Sequence, residues 1–443
     1  MKAPSHRDRH RPLYHYSPEL WMNDVIPFFH KGEFHVYYDK NPHDISWTHS
    51  SDWGHGSTRD FVHWTEHASA VVPSQDADRD GCWTGCVIEH NGSFFAFYTG
   101  IASWRPFKQV QCLAVSDDLY HWQKYEGNPI ISEAPQGFGE CFRDPQVWRE
   151  GDEWLMIIGG EQLDCKGGVA FLYRSRDLLN WDYSHMLATG ASEKTGHDFE
   201  CPDFFALGDK HILLSSRNRT WWHIGEYSEQ RFTAQTWGAT DGPTFYAAKT
   251  ALDEQGRRIL CGWIRETRSE QEQRTAGWAG VFSLPRVLSL GHDGTFLHYA
   301  PLPELQQMRG RHHHFGELSL HDETLLLPDV QGDTLEMIIY FAPGEAARFG
   351  AVVRSAPDGS QRVEIAYDRS TQHLDESPLA LAEHEDLKLH IFIDRSVIET
   401  FANHRACLTQ RFYPQREDCL LVGLFASGGC AQIKSVDVWE LMV

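Results

Sequence analysis

A unit of about 60 residues repeats along the first two thirds of the chain, and such a period points to a repeat architecture. In each unit a short turn is followed by an apolar, aromatic-rich strand, and the strand starts lie 60, 60, 57 and 47 residues apart. Period-2 strands beside Asn-Gly, Lys-Gly and Gly-Asp turns are typical of antiparallel hairpins. The strands are Phe34–Tyr38, Phe94–Tyr98, Trp154–Ile158, His211–Ser215 and Arg258–Trp263.

A second marker keeps nearly the same period. A Ser/Thr-led turn that ends in Trp64, Trp122 or Trp181 follows three of the strands, with the tryptophans 58 and 59 residues apart. Repeated four-stranded units close into a propeller, which leaves few exposed sheet edges. Five units fit between about residue 20 and residue 295. The alternative, a β-sandwich with coincidental spacing, does not explain why two independent markers share one period.

From about residue 312 short alternating strands continue without this unit. Leu387–Ser396 and Val397–Ala402 predict a hairpin, which favours a second all-β domain of sandwich type. The segment Leu302–Arg309 predicts a short linker helix. We therefore predict an all-β chain with a five-bladed β-propeller over residues 1–298, a linker helix over 299–311 and a β-sandwich over 312–443.

Composition excludes several classes of partner. The net charge of −22 is spread along the chain, which argues against nucleic acid and anionic membranes, because phosphate contacts need basic patches. No run of 18 apolar residues exists, so we expect no membrane span. The segment Met1–His10 has no apolar stretch typical of a secretory signal, and the ten cysteines form no paired C-x-x-C. We expect a soluble cytoplasmic protein with reduced thiols, either a monomer or a homodimer.

Three acidic residues stand near one point of the repeat. Asp24, Asp144 and Glu200 each lie seven or eight residues before the turn that ends their strand. The innermost strands of propeller blades converge, so we expect the three carboxyl groups around one pocket. Such a cluster suits cleavage of a glycosidic bond, in which an ionised carboxylate attacks the anomeric carbon and a protonated one supplies the leaving oxygen with its proton.

The neighbouring residues suggest how these roles divide. Asn23 is placed to orient Asp24 as the nucleophile. Glu200 has the longer reach, and its Cys201-Pro202 flank adds little polar solvation, so we expect a raised pKa and an acid/base role. Isolated Asn-Asp and Asp-Pro pairs are common in turns, and only the shared offset favours a functional reading.

Further candidates border the predicted pocket. Arg143 should keep Asp144 ionised for binding sugar hydroxyls. Trp47 and Trp83 are candidate stacking platforms, although a single tryptophan is more often part of the core. Thr84 lies 60 residues from both Asp24 and Asp144 and therefore holds the equivalent position in its own unit. Weaker candidates in the fifth unit are Asp241, Phe245 and Tyr246, and we expect a solvated or interdomain role for His312–His314.

Three motifs resemble the signature motifs of glycoside hydrolase family 32, the invertases, fructanases and sucrose-6-phosphate hydrolases. They are Trp21-Met22-Asn23-Asp24, Phe142-Arg143-Asp144-Pro145 and Glu200-Cys201-Pro202-Asp203-Phe204. The resemblance implies a five-bladed propeller with a β-sandwich, and retaining double displacement on β-fructofuranosides. It implies Asp24 as nucleophile, Glu200 as acid/base, and Arg143 with Asp144 as the grip on fructose. The implied partner is a small fructose-containing saccharide, and no metal or organic cofactor is implied.

The chain departs from the family pattern in three places, which we expect at the pocket border. Val25-Ile26-Pro27 replaces Pro-Asn-Gly, Asp39 replaces the usual Gln, and Trp83-Thr84-Gly85-Cys86 replaces Trp-Ser-Gly-Ser. Asp39 either adds a charge that keeps Glu200 protonated or forms a salt bridge with a neighbour. Three functions stay open: hydrolysis of small fructosides, fructosyl transfer giving oligosaccharides or cyclic difructose, and sugar binding without catalysis.

Overall fold

The structure is a computed structural model that describes residues 8–163 and 166–442, so Cys165 and most of the N-terminal segment lie outside it. The chain divides into two compact units, Ser17–Leu297 and a second one that joins the residues before Ser17 to His298–Val443. The sequence expectation had placed the N-terminal residues with the propeller. In the second unit the Asp394 carboxylate accepts the backbone N–H groups of Leu13, Tyr14 and His15, which explains this assignment. No helix in the described part of the chain is long and apolar enough to cross a bilayer.

The first unit consists of five antiparallel sheets, the blades of the predicted propeller. Blades one and two contain β1 (Leu20–His30), β2 (Glu33–Asn41), β3 (Asp52–Thr58), β4 (Trp64–Val71), β5 (Cys82–His90), β6 (Ser93–Ser103), β7 (Lys108–Ser116) and β8 (Gln123–Lys124). Blade three contains β9 (Phe138–Glu150), β10 (Glu153–Gln162), β11 (Gly168–Ser175) and β12 (Asp182–Thr189), and the short helix α1 (Ser192–Thr195) follows it.

Blades four and five complete the ring. They contain β13 (Glu200–Leu207), β14 (Lys210–Arg217), β15 (Arg219–Ser228), β16 (Arg231–Ala239), β17 (Phe245–Leu252), β18 (Arg258–Ile264), helix α2 (Glu270–Ala276), β19 (Trp278–Ala279), β20 (Val281–Phe282), β21 (Arg286–Leu290) and β22 (Leu297–Pro301). Strand β19 joins the first blade instead of the fifth, because Leu20 and Trp21 of β1 pair in parallel with Trp278 and Ala279. This pairing ties the last blade to the first and closes the ring.

The repeated sequence markers occupy the same places in their blades. The five predicted aromatic strands are confirmed as parts of β2, β6, β10, β14 and β18. The tryptophan of the second marker closes a repeated turn: Trp122 Nε1 donates to Leu119 O at 3.1 Å, and Trp181 Nε1 donates to Leu178 O at 3.1 Å. Buried aromatic residues such as Tyr37, Trp53 and Tyr98 fill the space between the first two blades.

The second unit is a two-sheet sandwich, as predicted, preceded by a 3-10 helix over Pro303–Met308. Its first sheet has the order β23-β35-β26-β31-β32-β33, with β24 also paired to β35, and its second has the order β25-β34-β27-β28-β29-β30. The strands are β23 (Arg309–Phe315), β24 (Leu318–His321), β25 (Thr324–Gln331), β26 (Thr334–Ala342), β27 (Arg348–Ser355), β28 (Val363–Asp368), β29 (His373–Leu374), β30 (Ser377–Pro378), β31 (Leu387–Asp394), β32 (Val397–Ala402), β33 (Ala406–Arg411), β34 (Leu421–Ser427) and β35 (Cys430–Leu441).

The three consecutive histidines lie on β23 and face carboxylates. His312 and His314 both contact Asp437 Oδ1 at 2.9 Å, whereas His313 contacts Glu440 Oε1 at 3.0 Å. This alternation follows from the period of two along a strand. No group of three or more His, Cys, Asp or Glu residues in the described ranges has the arrangement of a metal site.

Candidate active site

Each of the five inner strands contains a β-bulge at the same position. In blade one, Asn23 pairs with Asp39 and Val25 pairs with Tyr38, so Asp24 is the extra residue. A bulge re-aims the side chain it carries and is frequent near active sites. The equivalent extra residues are Thr84, Asp144-Pro145, Cys201-Pro202 and Ala247-Ala248.

The bulges show that the three acidic residues are not at equivalent positions, because Glu200 is offset by one residue from Asp24 and Asp144. Asp24 and Asp144 are bulge residues, with φ of 31° and 64°, and their counterpart in blade four is Cys201, with φ of 48°. Glu200 stands one residue earlier, at the last paired position before the bulge. The residues at this earlier position, here called the pre-bulge set, are Asn23, Trp83, Arg143, Glu200 and Tyr246.

A cavity of about 370 Å³ opens where the inner strands converge. All five members of the pre-bulge set line it, as do nine of the ten site residues expected from the sequence. The tenth, Cys201, is buried next to the cavity and contacts Asp24. The lining residues are Asn23, Asp24, Asp39, Trp47, Thr48, Trp83, Thr84, Phe107, Cys141, Arg143, Asp144, His197, Asp198, Glu200, Arg217, Tyr246 and Trp263.

The Asp24 carboxylate is surrounded by neutral donors. Asn23 Nδ2 donates to Oδ1 at 3.3 Å, and Thr84 Oγ1 and Cys201 Sγ donate to Oδ2 at 3.2 and 3.4 Å. Burial, followed by the charges of Asp144 and Glu200, raises the pKa of Asp24 to about 7. This carboxyl group therefore holds its proton through most of the acidic range.

Glu200 has the opposite environment. Its Oε1 accepts from Arg143 Nη2 at 2.7 Å and from Arg217 Nη1 at 2.8 Å, and Tyr246 Oη donates to its Oε2. Burial opposes ionisation, but Arg143, Tyr246 and Arg217 together lower the pKa of Glu200. The sequence expectation of a raised pKa for Glu200 is wrong, because two guanidinium groups converge on this carboxylate.

Arg143 contacts Asp144 less closely than its neighbouring position in the sequence suggested. Its shortest contacts are with Asp198 Oδ2 at 2.6 Å and with Glu200, whereas Asp144 Oδ2 lies 3.8 Å from Arg143 Nε. Asp144 Oδ2 accepts from the Cys201 amide at 2.7 Å. Burial raises the pKa of Asp144, and Arg143 and the Cys201 amide offset part of that effect.

Aromatic side chains form one wall of the cavity. Trp47 is 53% exposed, and its ring centroid lies 6.3 Å from Trp83 and 5.8 Å from Trp104. Trp104 stacks on His49 at 4.4 Å, and Phe107 lies 5.3 Å from Trp104. Both tryptophans expected from the sequence are thus at the cavity, where flat apolar surfaces can stack on sugar rings.

The sequence departures separate into two groups. Val25 and Ile26 are fully buried in β1, and Ile26 and Pro27 line a different cavity, so this departure does not border the site as expected. Asp39 and Thr84 do line the site. Asp39 Oδ2 lies 3.4 Å from Thr84 Oγ1, and the charged groups that act on Asp39 are Asp24 and Asp144, which does not support the salt-bridge alternative.

Among the lining residues that were not singled out from the sequence, or only weakly, four are polar groups around Glu200. Arg217 Nε contacts Asp198 Oδ1 at 3.1 Å, and Arg217 Nη2 contacts His197 Nε2 at 3.0 Å, which makes one polar network with Glu200. Tyr246 was a weak candidate. Its position follows the spacing of Asn23, Trp83, Arg143 and Glu200, so the repeat itself carried the signal for Tyr246. Asp198, His197 and Arg217 lie outside the inner strands and had no such marker.

Comparison with known proteins adds independent information. A family profile described as the glycosyl hydrolases family 32 N-terminal domain matches residues 15–301. The profile of the glycosyl hydrolases family 32 C terminal matches residues 304–440. Together the two profiles span nearly all of the chain.

Individual relatives agree with these profiles over almost their full length. A sucrose-6-phosphate hydrolase of Escherichia coli is 32% identical over 97% of this chain and 94% of its own sequence. A raffinose invertase of Escherichia coli is 30% identical over 97% and 95%. The crystal structure of fructan 1-exohydrolase IIa from Cichorium intybus superposes with a TM-score of 0.87 at 25% identity, covering 99% of this chain and 98% of that one.

Proposed function

Because the chain belongs to glycoside hydrolase family 32, as both of its matched profiles show, we propose that it hydrolyses β-fructofuranosidic bonds in small saccharides of the sucrose type by a retaining double displacement. The observation that carries this proposal is the cavity in which Asp24 and Glu200 face the same space. The enzyme class, a glycoside hydrolase of β-fructofuranosidase type, is the one its relatives share.

In the first step the Asp24 carboxylate attacks the anomeric carbon of the fructosyl group. Glu200 gives its proton to the departing oxygen, so the glycosidic bond breaks as the bond to Asp24 forms. In the second step Glu200, now ionised, takes a proton from water, and the resulting hydroxide displaces Asp24. Fructose leaves with its original anomeric configuration, and both carboxyl groups return to their starting states.

Arg143 and Asp144 are suited to bind the fructosyl group. The Asp144 Oδ2 atom is fixed by the Cys201 amide, which leaves its second oxygen for a sugar hydroxyl. Arg143 bridges Asp198 and Glu200 and so holds the acid/base in place. Its positive charge also stabilises the carboxylate that Glu200 becomes in the first step. Preorganised groups of this kind lower the barrier because they need no rearrangement during the reaction.

The two reacting carboxyl groups share one proton in the free enzyme. The proton prefers Asp24, since the pKa of Asp24 is raised and the pKa of Glu200 is lowered. Catalysis uses the other arrangement, with the proton on Glu200, which has the same total charge. Interacting groups titrate as a pair, so the pH profile of the reaction reports the pair and not either residue alone.

The experiment that tests this function is a substrate panel. Wild-type enzyme and the Asp24→Ala variant are assayed for release of fructose from sucrose, sucrose 6-phosphate, kestose and a difructose anhydride. We expect the wild type to release fructose from at least one of them, and the variant from none. Equal behaviour of the two proteins on the whole panel contradicts the proposal.

Fructosyl transfer is the second candidate. Trp47, Trp83 and Phe107 line the cavity and offer an acceptor sugar an aromatic stacking surface. A sugar bound there would compete with water for the fructosyl group. Product analysis at high sucrose concentration separates the two reactions. Equal amounts of fructose and glucose indicate hydrolysis, whereas glucose in excess over fructose indicates transfer.

A further inference from the structure

The Thr84 hydroxyl lies between two carboxyl groups. Its Oγ1 is 3.2 Å from Asp24 Oδ2 and 3.4 Å from Asp39 Oδ2. A hydroxyl group has one proton, so it can donate to only one of these oxygens. If both carboxyl groups were ionised, one of them would face a lone pair of Thr84 instead of a proton. The contacts are mutually satisfied only when one carboxyl group is protonated and donates to Thr84.

The donors around the two groups indicate which one holds this proton. Asp24 receives hydrogen bonds from Asn23 Nδ2 and Cys201 Sγ in addition to Thr84. Hydrogen bonds donated to a carboxylate favour its ionised form. Asp39 is only 6% exposed, and its Oδ1 is buried without a hydrogen-bond partner. Of the two groups, Asp24 is therefore the one that ionises first, and the proton that remains between them is held by Asp39.

The charges that face Asp39 favour the same assignment. Asp24 approaches it from β1 and Asp144 from β9, and both are carboxyl groups. The residues paired with Asp39 across the sheet are neutral, Asn23 on β1 and Trp53 on β3. Burial, together with the charges of Asp24 and Asp144, raises the pKa of Asp39 well above its usual range.

We propose that Asp39 remains protonated and donates to Thr84, whose hydroxyl in turn donates to Asp24 and favours the ionised nucleophile. Asp39 is then a positioning residue that acts through Thr84. The proposal rests on the proposed role of Asp24 in catalysis. This chain of hydrogen bonds, here called the relay, stabilises the ionised form of Asp24, because Thr84 donates to the carboxylate that attacks.

Because Asp39 stands where the family usually has glutamine, the relay depends on pH. A glutamine at this position would also donate to Thr84 through its amide, but it could not lose a proton. With an aspartic acid, deprotonation at high pH turns a donor into an acceptor and places a second negative charge next to Asp24.

Infrared spectroscopy tests the proton on Asp39 without reference to activity. Wild type and Asp39→Asn are compared near pH 8, where Asp24, with a pKa of about 7, is mainly ionised. We expect the wild type to show the carbonyl absorption of one protonated carboxyl group that the variant lacks. Identical absorption of the two proteins in this region overturns the proposal.

Kinetics of two Thr84 variants test the relay. Thr84→Val keeps the shape and removes the hydroxyl, whereas Thr84→Ser keeps the hydroxyl. We expect kcat/KM of Thr84→Val to fall by roughly ten- to a hundredfold, the factor expected for one hydrogen bond to an ion, and the alkaline limb of its pH profile to move to higher pH, because the pKa of Asp24 rises when it loses this donor. Thr84→Ser should recover most of the loss, and equal profiles of the two variants overturn the relay.

The infrared comparison and the kinetic assays distinguish a failure of this proposal from a failure of the proposed function. If wild-type protein releases no fructose from any substrate, the function fails, yet the infrared comparison still decides the protonation of Asp39. If the wild type is active and Asp39→Asn shows the same carbonyl absorption as the wild type, the relay fails and the proposed function stands.

Discussion

The Cys201 thiol donates to Asp24 Oδ2 at 3.4 Å, so the bulge residue of blade four contacts the bulge residue of blade one. Burial, and then the charge of Asp24, raises the pKa of this thiol well above its usual range, so it remains a donor. The contact shows how the bulges place side chains from distant units around one point. It also fixes Glu200 one residue away, on the wall of the cavity and beside the two arginines.

We predict that kcat/KM for sucrose falls above about pH 7. Asp24 has a pKa raised to about 7 and Glu200 a lowered one, so the pair holds one proton below that pH and none above it. Without this proton Glu200 cannot protonate the leaving oxygen. A pH profile should show a loss of about tenfold for each pH unit on the alkaline side. A kcat/KM that is constant from pH 6 to pH 9 contradicts the prediction.

We predict that Trp47→Ala raises KM for sucrose by roughly two- to tenfold, the effect of losing one aromatic stacking contact. Stacking holds the substrate equally in the ground state and in the transition state, so kcat should change less than KM. Trp237→Ala is the matched control, because Trp237 is 45% exposed and packs on Trp221 in blade four, away from the cavity. An equal rise of KM in both variants argues against Trp47 as a stacking platform for the substrate.

We predict that sucrose is a better substrate than sucrose 6-phosphate by at least about tenfold in kcat/KM, because like charges repel at close range. Carboxyl groups outnumber cationic groups in the lining of the cavity. The guanidinium groups of Arg143 and Arg217 already contact Asp198 and Glu200. Paired assays at one ionic strength check this, and a preference for the phosphorylated sugar would show that a cation outside this lining binds phosphate.

The second unit should lose stability as the pH rises, because of His15. This buried imidazole contacts Asp394 Oδ2 at 2.9 Å and Glu399 Oε1 at 3.1 Å. Burial opposes its charge, but hydrogen bonds to both carboxylates raise its pKa. A raised folded pKa means that the contribution is complete below the unfolded pKa of about 6.5 and is lost as the pH rises through the folded value.

Replacing His15 by glutamine tests this point. We expect His15→Gln to destabilise the protein by about 3 to 5 kcal/mol in urea unfolding near pH 6, because two carboxylates lose their buried partner. The loss should be smaller near pH 9. His321→Gln is the control, since that side chain is 74% exposed in the same unit. A loss of equal size at the two pH values contradicts a charged His15.

The architecture could be predicted because the repeat has two markers, and both mark local structure. A turn followed by an aromatic strand needs only nearby residues, so Phe34–Tyr38 and its four counterparts were found correctly. Thr84 was found for the same reason, since its distance from Asp24 is one full period. The register within the inner strand was less visible. The turn offset does not distinguish Glu200 from Cys201, because pairing across the bulge decides which of them is the extra residue.

The electrostatics of the site depended on contacts that no spacing reveals. Arg217 reaches Glu200 from the end of the next strand. Asp198 and His197 lie in the segment before β13 and contact the arginines, Asp198 contacting Arg143 and His197 contacting Arg217. Arg217 acts with Arg143 and Tyr246 to lower the pKa of Glu200. Val25 and Ile26 were misassigned to the pocket border, because β1 continues through both residues as a buried strand.

The central claim, attack by Asp24 with retention of configuration, is tested most directly by hydrolysing sucrose in the presence of methanol. Methanol competes with water for the fructosyl group bound to Asp24, and the methyl fructoside that forms does not change its anomeric configuration in solution. Two successive displacements predict methyl β-fructofuranoside, identified by its carbon NMR spectrum. Methyl α-fructofuranoside as the product would show a single displacement and contradict the account.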